Sequence, residues 1–259
     1  MNKWLEWILG MAAFRSHTRV VEERQPGSNL FQTGQQAWNL QTTIDGALPP
    51  LAVGQGLLVV ANHPRGLLEL FLVGGWLEEQ SGRPVRFLVN RLIGEAFPTL
   101  NTHIIGVDNM SRRGPERSAF NRAALLEAID FMRSGGVLNV CPAGQVASWR
   151  LHSPEGWLQN TDHPWHSTFA SLARAAQVPI QPIHVSGSTR LRYRFARLFG
   201  LVFGRMMNFR EFNAGVNTQT VISVAERIES EILDGKSDQE ISRLCRERVF
   251  SCAGRKASS

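Results

Sequence analysis

The run Gly56–Ala61 (GLLVVA) limits the possible folds more than any other stretch of this chain. It is apolar at consecutive positions and too short for a core helix. Glycine opens it and Asn62-His63-Pro64 closes it. A strand with no polar face must be covered on both sides, which is the situation of a strand inside an α/β sheet. Similar short runs follow at Val85–Val89, His103–Val107, Val137–Cys141, Val178–Val185 and near 219–225. Between them lie stretches with helical character at 66–80, 115–134, 166–177 and about 189–204, with a last helix at 238–250. A helical turn ended by Pro98 lies between the second and third runs. The clearest is 115–134. Pro115 stands at its start, Phe120, Ala124, Leu125, Ala128, Ile129 and Met132 share one face, and Gly135-Gly136 ends it. Pro179 and Pro182 put the Val178–Val185 strand at an edge or in an irregular ladder. Residues 28–45 are polar and weakly periodic and read as helical, closed by Ala47-Leu48-Pro49-Pro50. The alternation predicts an α/β domain whose site lies at the C-terminal ends of the strands.

A chain of 259 residues, 43% hydrophobic and 19% charged, has the means to bury a large core. This excludes a disordered tail, a collagen-like repeat and a small disulfide scaffold. Cys141, Cys245 and Cys252 have no close spacing, so neither a disulfide framework nor a structural zinc site is expected. Basic residues number 28 against 22 acidic, and only Lys3, Lys236 and Lys256 are lysine. An arginine-rich, basic chain suits an anionic membrane, an acidic carrier protein or nucleic acid. Nucleic acid is not expected as a partner, because no binding motif is present and the aromatics cluster with aliphatics.

No stretch reaches the ~18 consecutive apolar residues of a spanning helix. The N-terminus, MNKWLEWILGMAAFR, is also a poor signal peptide, since Glu6 breaks its apolar region and Arg15 and Arg19 follow it. As a helix it places Lys3, Glu6 and Gly10 on one thin stripe, with Trp4, Leu5, Trp7, Ile8, Leu9, Met11 and Phe14 around the rest. Two readings stand: an amphipathic helix in a membrane interface, or a helix docked on the core. The expected division is residues 1–27 as this helix and its linker, and 28–259 as one domain. A second stretch, Arg190–Arg205, carries Arg190, Arg192, Arg194, Arg197 and Arg205 on an apolar body. It suits a membrane-surface helix, a landing patch for an acidic carrier protein, or a core helix with extended arginines.

The candidate chemistry begins where Gly56–Ala61 runs into Asn62-His63-Pro64-Arg65-Gly66-Leu67-Leu68-Glu69. A turn through Pro64 and Gly66 can fold the Glu69 carboxylate back onto the His63 ring. A carboxylate on one ring nitrogen fixes the tautomer and makes the other a better base. The alternative is a loop histidine satisfied by local hydrogen bonds. Asp162, His163 and His166 are too few for a metal site and read as a helix N-terminus with Asp162 as its cap. Cys141, at a buried strand end, is a poor candidate for a nucleophile. No Gly-x-Ser-x-Gly elbow is present.

In order and spacing, four blocks over roughly residues 45–228 resemble the glycerolipid acyltransferase superfamily, which includes the lysophosphatidate acyltransferases. The first is the Asn-His box. Five residues separate His63 from Glu69, which resembles the hemolysin-like subgroup (Asn-His-Pro-Leu-Gly-Gly-Leu-Asp), with Glu for Asp. The second is His103–Val107 with Asp108-Asn109, where Asn109 stands in place of the arginine that holds an acceptor phosphate. Arg112 and Arg113 are near enough to substitute. The third, Cys141-Pro142-Ala143-Gly144-Gln145-Val146, resembles the subgroup's Phe-Pro-Ala-Gly-Glu-Val, with Gln145 replacing glutamate. The fourth is Val178–Val185, the apolar strand that lines a pocket.

The resemblance implies a mixed, mostly parallel sheet flanked by helices, and a membrane-associated O-acyltransferase on the cytoplasmic face. The acyl donor would be acyl-CoA or acyl carrier protein and the acceptor a lysolipid hydroxyl. His63 would be the base and Glu69 its orienting partner. Asn62, Arg65, Arg112, Arg113, Pro142, Gly144 and Gln145 would shape the acceptor and oxyanion surroundings, with backbone N–H groups near Gly144 as oxyanion donors. No metal or bound cofactor is implied. The replacements Glu69, Asn109 and Gln145 leave open a lipid-binding adaptor on the same scaffold, and the same base acting on water would give a thioesterase.

Overall fold

The computed structural model of the protein describes residues 10–25, 27–109, 111–112, 114–150, 159–198 and 208–253. Its centre is a seven-stranded sheet. The strands are β1 (Gln41–Asp45), β2 (Leu57–Ala61), β3 (Val85–Asn90), β4 (Ile104–Val107), β5 (Val137–Val140), β8 (Ile180–Val185) and β9 (Gln219–Val224). The short strands β6 (Ser148–Arg150) and β7 (Gln159–Thr161) form a separate antiparallel pair. The helices, in chain order, are α1 (Met11–Glu22), α2 (Leu30–Ala37), α3 (Leu68–Ser81), α4 (Leu92–Ala96), α5 (Pro115–Arg133), α6 (Thr168–Ala176), α7 (Leu191–Leu198), α8 (Asn208–Gly215), α9 (Ser230–Leu233) and α10 (Asp238–Ser251).

The spatial order is β1-β9-β8-β2-β5-β3-β4, and every pairing is parallel except β8 with β9. This is the mixed, mostly parallel sheet expected from the sequence. β2 lies at its centre, and successive side chains enter opposite layers. Leu57, Val59 and Ala61 join a core with Phe31, Trp38, Phe71 and Phe212. Leu58 and Val60 join a second core with Met132, Leu138, Phe169 and Ile180. Alternation between two covered faces is why GLLVVA reads as an unbroken apolar run. Helix α3 carries the same signature: Leu68 to Leu77 are all buried.

Three expectations need correction. Residues 28–45 are not one helix, because α2 ends at Ala37 and Gln41–Asp45 is strand β1. β1 is an edge strand with no buried residue, so its polar sequence gave no strand-like apolar pattern. On α5 the buried residues are Ala124, Ala128 and Met132, whereas Phe120, in the first turns of the helix, is 46% exposed. Helix α6 begins at Thr168 after Ser167, which makes no side-chain cap, so Asp162 does not cap it.

The proline-bearing strand β8 is not at an edge, and its ladder is irregular, as the other expectation had it. Ile180 exchanges both backbone hydrogen bonds with Ile228, while regular pairing with β9 resumes only at Ile183 opposite Val224. The intervening residues on the β9 side bulge. Pro182, which has no N–H, falls in that interruption, and its carbonyl still accepts from the Ala225 N–H at 3.1 Å. Gln181 Nε2 donates to the Ala225 carbonyl at 2.7 Å, doing work the backbone ladder leaves undone.

The expectation for residues 1–9 lies outside the described residues. The helix that follows, α1, turns Phe14, Thr18 and Val21 inward. Phe14 packs on Phe97, Phe209 and Phe212 at ring-centroid distances of 4.6–5.2 Å. Among the described residues no helix is long and apolar enough to cross a membrane.

Candidate active site

His63 follows β2 directly, at the C-terminal end of the central strand. β3 and β8, the strands on either side of the β2–β5 pair, are reached by connections running in opposite directions, so this end is a topological switch point. Pro64, Arg65 and Gly66 then turn the chain into α3, with Gly66 at φ +66°, a conformation that glycine adopts without strain. The turn brings Glu69, in the first turn of α3, back over the loop. One carboxylate oxygen, Oε2, lies 2.5 Å from His63 Nδ1. The other, Oε1, accepts the N–H of Arg65. Glu69 therefore binds the loop at two points and holds the imidazole in one orientation. Its side chain is 4% exposed and that of His63 is 20% exposed.

The surrounding groups hold this pair from behind. The His63 N–H donates to Asp162 Oδ1 at 3.0 Å, and the His63 carbonyl accepts from the Ala147 N–H at 2.7 Å. Asp162 also accepts from Trp165 Nε1 at 3.1 Å. Cys141 lies beneath, with its thiol 3.8 Å from Glu69 Oε2 and from the Asn62 carbonyl. Thr189 Oγ1 donates to the Ala147 carbonyl and ties the loop after β8 to the loop after β5.

These contacts set the protonation equilibria. Burial disfavours a charged His63 ring, but the Glu69 carboxylate and the neighbouring Cys141 together outweigh it, and His63 stands well above the ordinary imidazole value of 6.5. Burial pushes the Cys141 thiol up, so it is a neutral thiol near pH 7. Burial also pushes Asp162 up to about 6, against the opposing effect of the His63 N–H.

His63, Glu69 and Cys141 offer ligand atoms within 4.8 Å of one another, a group that could surround a metal ion. The 2.5 Å separation of Nδ1 and Oε2 is, however, a hydrogen-bond distance. Two ligands on a tetrahedral zinc stand about 3.3 Å apart. The arrangement as it stands fits a shared proton and not a shared cation.

The other candidate residues fall into three groups. Asn62 and Arg65 are clamps. Asn62 Nδ2 donates to the Val185 carbonyl (2.9 Å) and its Oδ1 accepts the Val185 N–H (2.7 Å), locking β2 to β8. Arg65 donates to the Ser186 carbonyl, Thr218 Oγ1 and the Gln219 carbonyl, joining the loop to both β8 and β9. These polar atoms are engaged by the framework, not presented to a ligand. Pro142, Gly144 and Gln145 lie in the adjacent loop after β5. Pro142 is buried with its carbonyl taken by the His166 N–H, and Gln145 is half-buried. The Gly144 N–H donates to the Cys141 carbonyl at 2.9 Å. Arg112 is exposed, in the loop after β4, three strand positions from β2 and without contact to His63. Arg113 lies outside the described residues.

Sequence reasoning missed the parts played by Asp162 and Thr189. Each meets its partner from more than forty residues away, so no local spacing could announce it.

The chain matches no protein-family model, and no curated protein sequence matches it. Its structure is similar to the crystal structure of the 1-acyl-sn-glycerophosphate (LPA) acyltransferase, PlsC, from Thermotoga maritima. The TM-score is 0.50 and the identity 14%, over 99% of this chain and 100% of that one. At that identity the likeness is one of fold: the chain carries the mixed, mostly parallel α/β architecture seen in that acyltransferase.

Proposed function

We propose that this protein is an O-acyltransferase that moves a fatty acyl group from an acyl thioester to a hydroxyl of a lysolipid. The carrying observation is the contact of His63 Nδ1 with the buried Glu69 carboxylate at the C-terminal end of the central strand. It leaves Nε2 as the nitrogen that the carboxylate does not engage. The fold likeness to an LPA acyltransferase supports the same class of chemistry by analogy.

In this reading, neutral His63 takes the proton of the acceptor hydroxyl at Nε2 while the oxygen attacks the thioester carbonyl carbon. The C–O bond forms and the carbonyl electron pair moves onto oxygen. As the tetrahedral intermediate collapses, the C–S bond breaks and the thiolate leaves with the proton from Nε2. Glu69 holds the ring and stabilises the imidazolium between the two steps. An activated thioester needs no protein nucleophile, which agrees with Cys141 being a half-buried, neutral thiol. The acyl donor is acyl-CoA or acyl carrier protein, and the protein works at the cytoplasmic surface of a membrane, reached through its N-terminal helix.

The test is incubation of the full chain with labelled acyl-CoA or acyl carrier protein and a lysolipid mixture, beside His63→Ala. A new acylated lipid made only by the unmutated protein is expected. Free fatty acid formed without acceptor dependence would point to a thioesterase. Lipid binding without turnover, from folded protein and with every donor, would point to an adaptor.

A further inference from the structure

The arginine-rich stretch after β8 has no part in the chemistry above. The structure sets its first residues beside a cleft of about 560 Å³. The cleft lies between the start of α1, the start of α7 and helix α8. Arg190, Arg192 and Arg210 line it, with Asn213 and Val216. It opens at the same end of the sheet as His63: Arg190 follows Thr189, which is bonded to Ala147, which is bonded to His63.

The charge here is unbalanced. Arg210 has no ion-pair partner among the described residues. The Arg190 guanidinium meets only a neutral acceptor, the Ala214 carbonyl, at 3.0 Å. Glu211 is the nearby carboxylate. It lies 3.7 Å from Arg192 Nε, takes the backbone N–H of Arg190, and is 11% exposed. One buried carboxylate against three guanidiniums leaves net positive charge facing an open volume.

The wall opposite is built for close approach. Gly10 is at φ +69°, and a Cβ there would stand 2.9 Å from Asn213 Nδ2 and 3.0 Å from Arg210 Cγ. Asn213 Nδ2 donates to the Gly10 carbonyl, while its buried Oδ1 has no partner. A guanidinium offers a planar fork of N–H donors that matches the ionised oxygens of a phosphate.

We propose that this cleft binds a phosphate group, held by Arg190, Arg192 and Arg210, and so fixes a phosphate-bearing substrate beside the His63 loop. The proposal extends the acyltransferase reading and names a substrate feature for it. The phosphate has two possible sources: the headgroup of a lysolipid, or the 3′-phosphate of a CoA thioester.

Equilibrium binding to the full chain separates the sources without requiring turnover. The probes are CoA against dephospho-CoA, and lysophosphatidate against monoacylglycerol, each below its aggregation threshold. If the cleft reads a headgroup, lysophosphatidate binds more tightly than monoacylglycerol. Arg210→Gln and Arg190→Gln then each weaken it about tenfold, monoacylglycerol binding stays unchanged, and Arg210→Lys restores part of the loss. If the cleft reads the donor, the same pattern appears for CoA against dephospho-CoA. Equal binding of phosphate-bearing and phosphate-free probes, or variants that bind as the unmutated protein does, would overturn the proposal. Phosphate-dependent, arginine-dependent binding with no acyl transfer would leave the cleft standing and the acyltransferase reading fallen. Unchanged melting temperatures for the arginine variants exclude misfolding as the cause.

Discussion

The loop around His63 and the cleft beside Arg210 lie at one end of the same sheet and are built in opposite ways. Around His63 nearly every polar group is engaged: Glu69, Asn62, Arg65 and Asp162 each make two or more hydrogen bonds to loop or strand partners. In the cleft, Arg210 and Arg190 have charge to spare, and Asn213 Oδ1 is unmet. A saturated network fixes a geometry, as proton transfer requires. An unsaturated one keeps interactions available for a ligand. The first region is where substitutions should damage rate and stability, and the second where they should change only binding.

The largest expected effect is at the base itself. His63→Ala should lower acyl transfer by about 10³-fold, measured as labelled product per unit time. Glu69→Gln should lower kcat by about 10²-fold and leave KM nearly unchanged, because it removes orientation and charge from the ring but no substrate contact. A large rise in KM instead would mean that Glu69 touches substrate.

The pH dependence follows from the same pair. The base must be neutral, and Glu69 holds His63 protonated well above 6.5, so kcat/KM should climb as pH rises through neutrality. Glu69→Gln should move that inflection to lower pH, since burial then acts on the ring without the carboxylate's opposing charge. Stability should run the other way. A folded-state value raised above the unfolded one gives stability that is complete below about pH 6.5 and lost as pH rises through the folded value. Asp162, raised to about 6, adds a loss in the same direction over a more acidic window, from about pH 4 to just above 6. Melting temperatures recorded from pH 5 to 9 should therefore fall as activity rises, with a shallower fall above neutrality in His63→Ala.

Two smaller effects sharpen the contrast between the regions. Asn62→Ala leaves the buried Val185 N–H and carbonyl unpaired and should cost about 2–3 kcal/mol in a denaturant titration. Arg210→Gln, on the open cleft, should stay within about 0.5 kcal/mol of the unmutated protein. Comparable losses at the two positions would remove the distinction.

How much of this could be read from the chain depends on how local each signal is. β2, β5 and α3 announced themselves because both faces are covered and their sequences are mostly apolar, with Asn139 and Glu69 the buried polar exceptions in β5 and α3. The His63–Glu69 pair was legible because it closes within one turn, six positions apart. β1 was hidden because an edge strand need not bury anything, and QTTID carries no apolar pattern. The place of β8 was half legible: two prolines signal a broken ladder, but not that a bulge lets them stand at the centre of the sheet. The framework contacts of Asn62 and Arg65 were hidden for a related reason. Sequence shows polar residues beside a histidine, but not that strands more than a hundred residues away consume their hydrogen bonds.

Cys141 has a consequence of a different kind. Its thiol is neutral and stands against the oxygen of Glu69 that also meets the histidine. An S–H stretch falls in a spectral window almost free of other protein vibrations, and its frequency follows the strength of the hydrogen bond it donates. The difference between unmutated and Cys141→Ala infrared spectra would isolate this oscillator from Cys245 and Cys252. The protein thus carries a native, label-free gauge of the charge on its own carboxylate, readable while a proton moves across the imidazole.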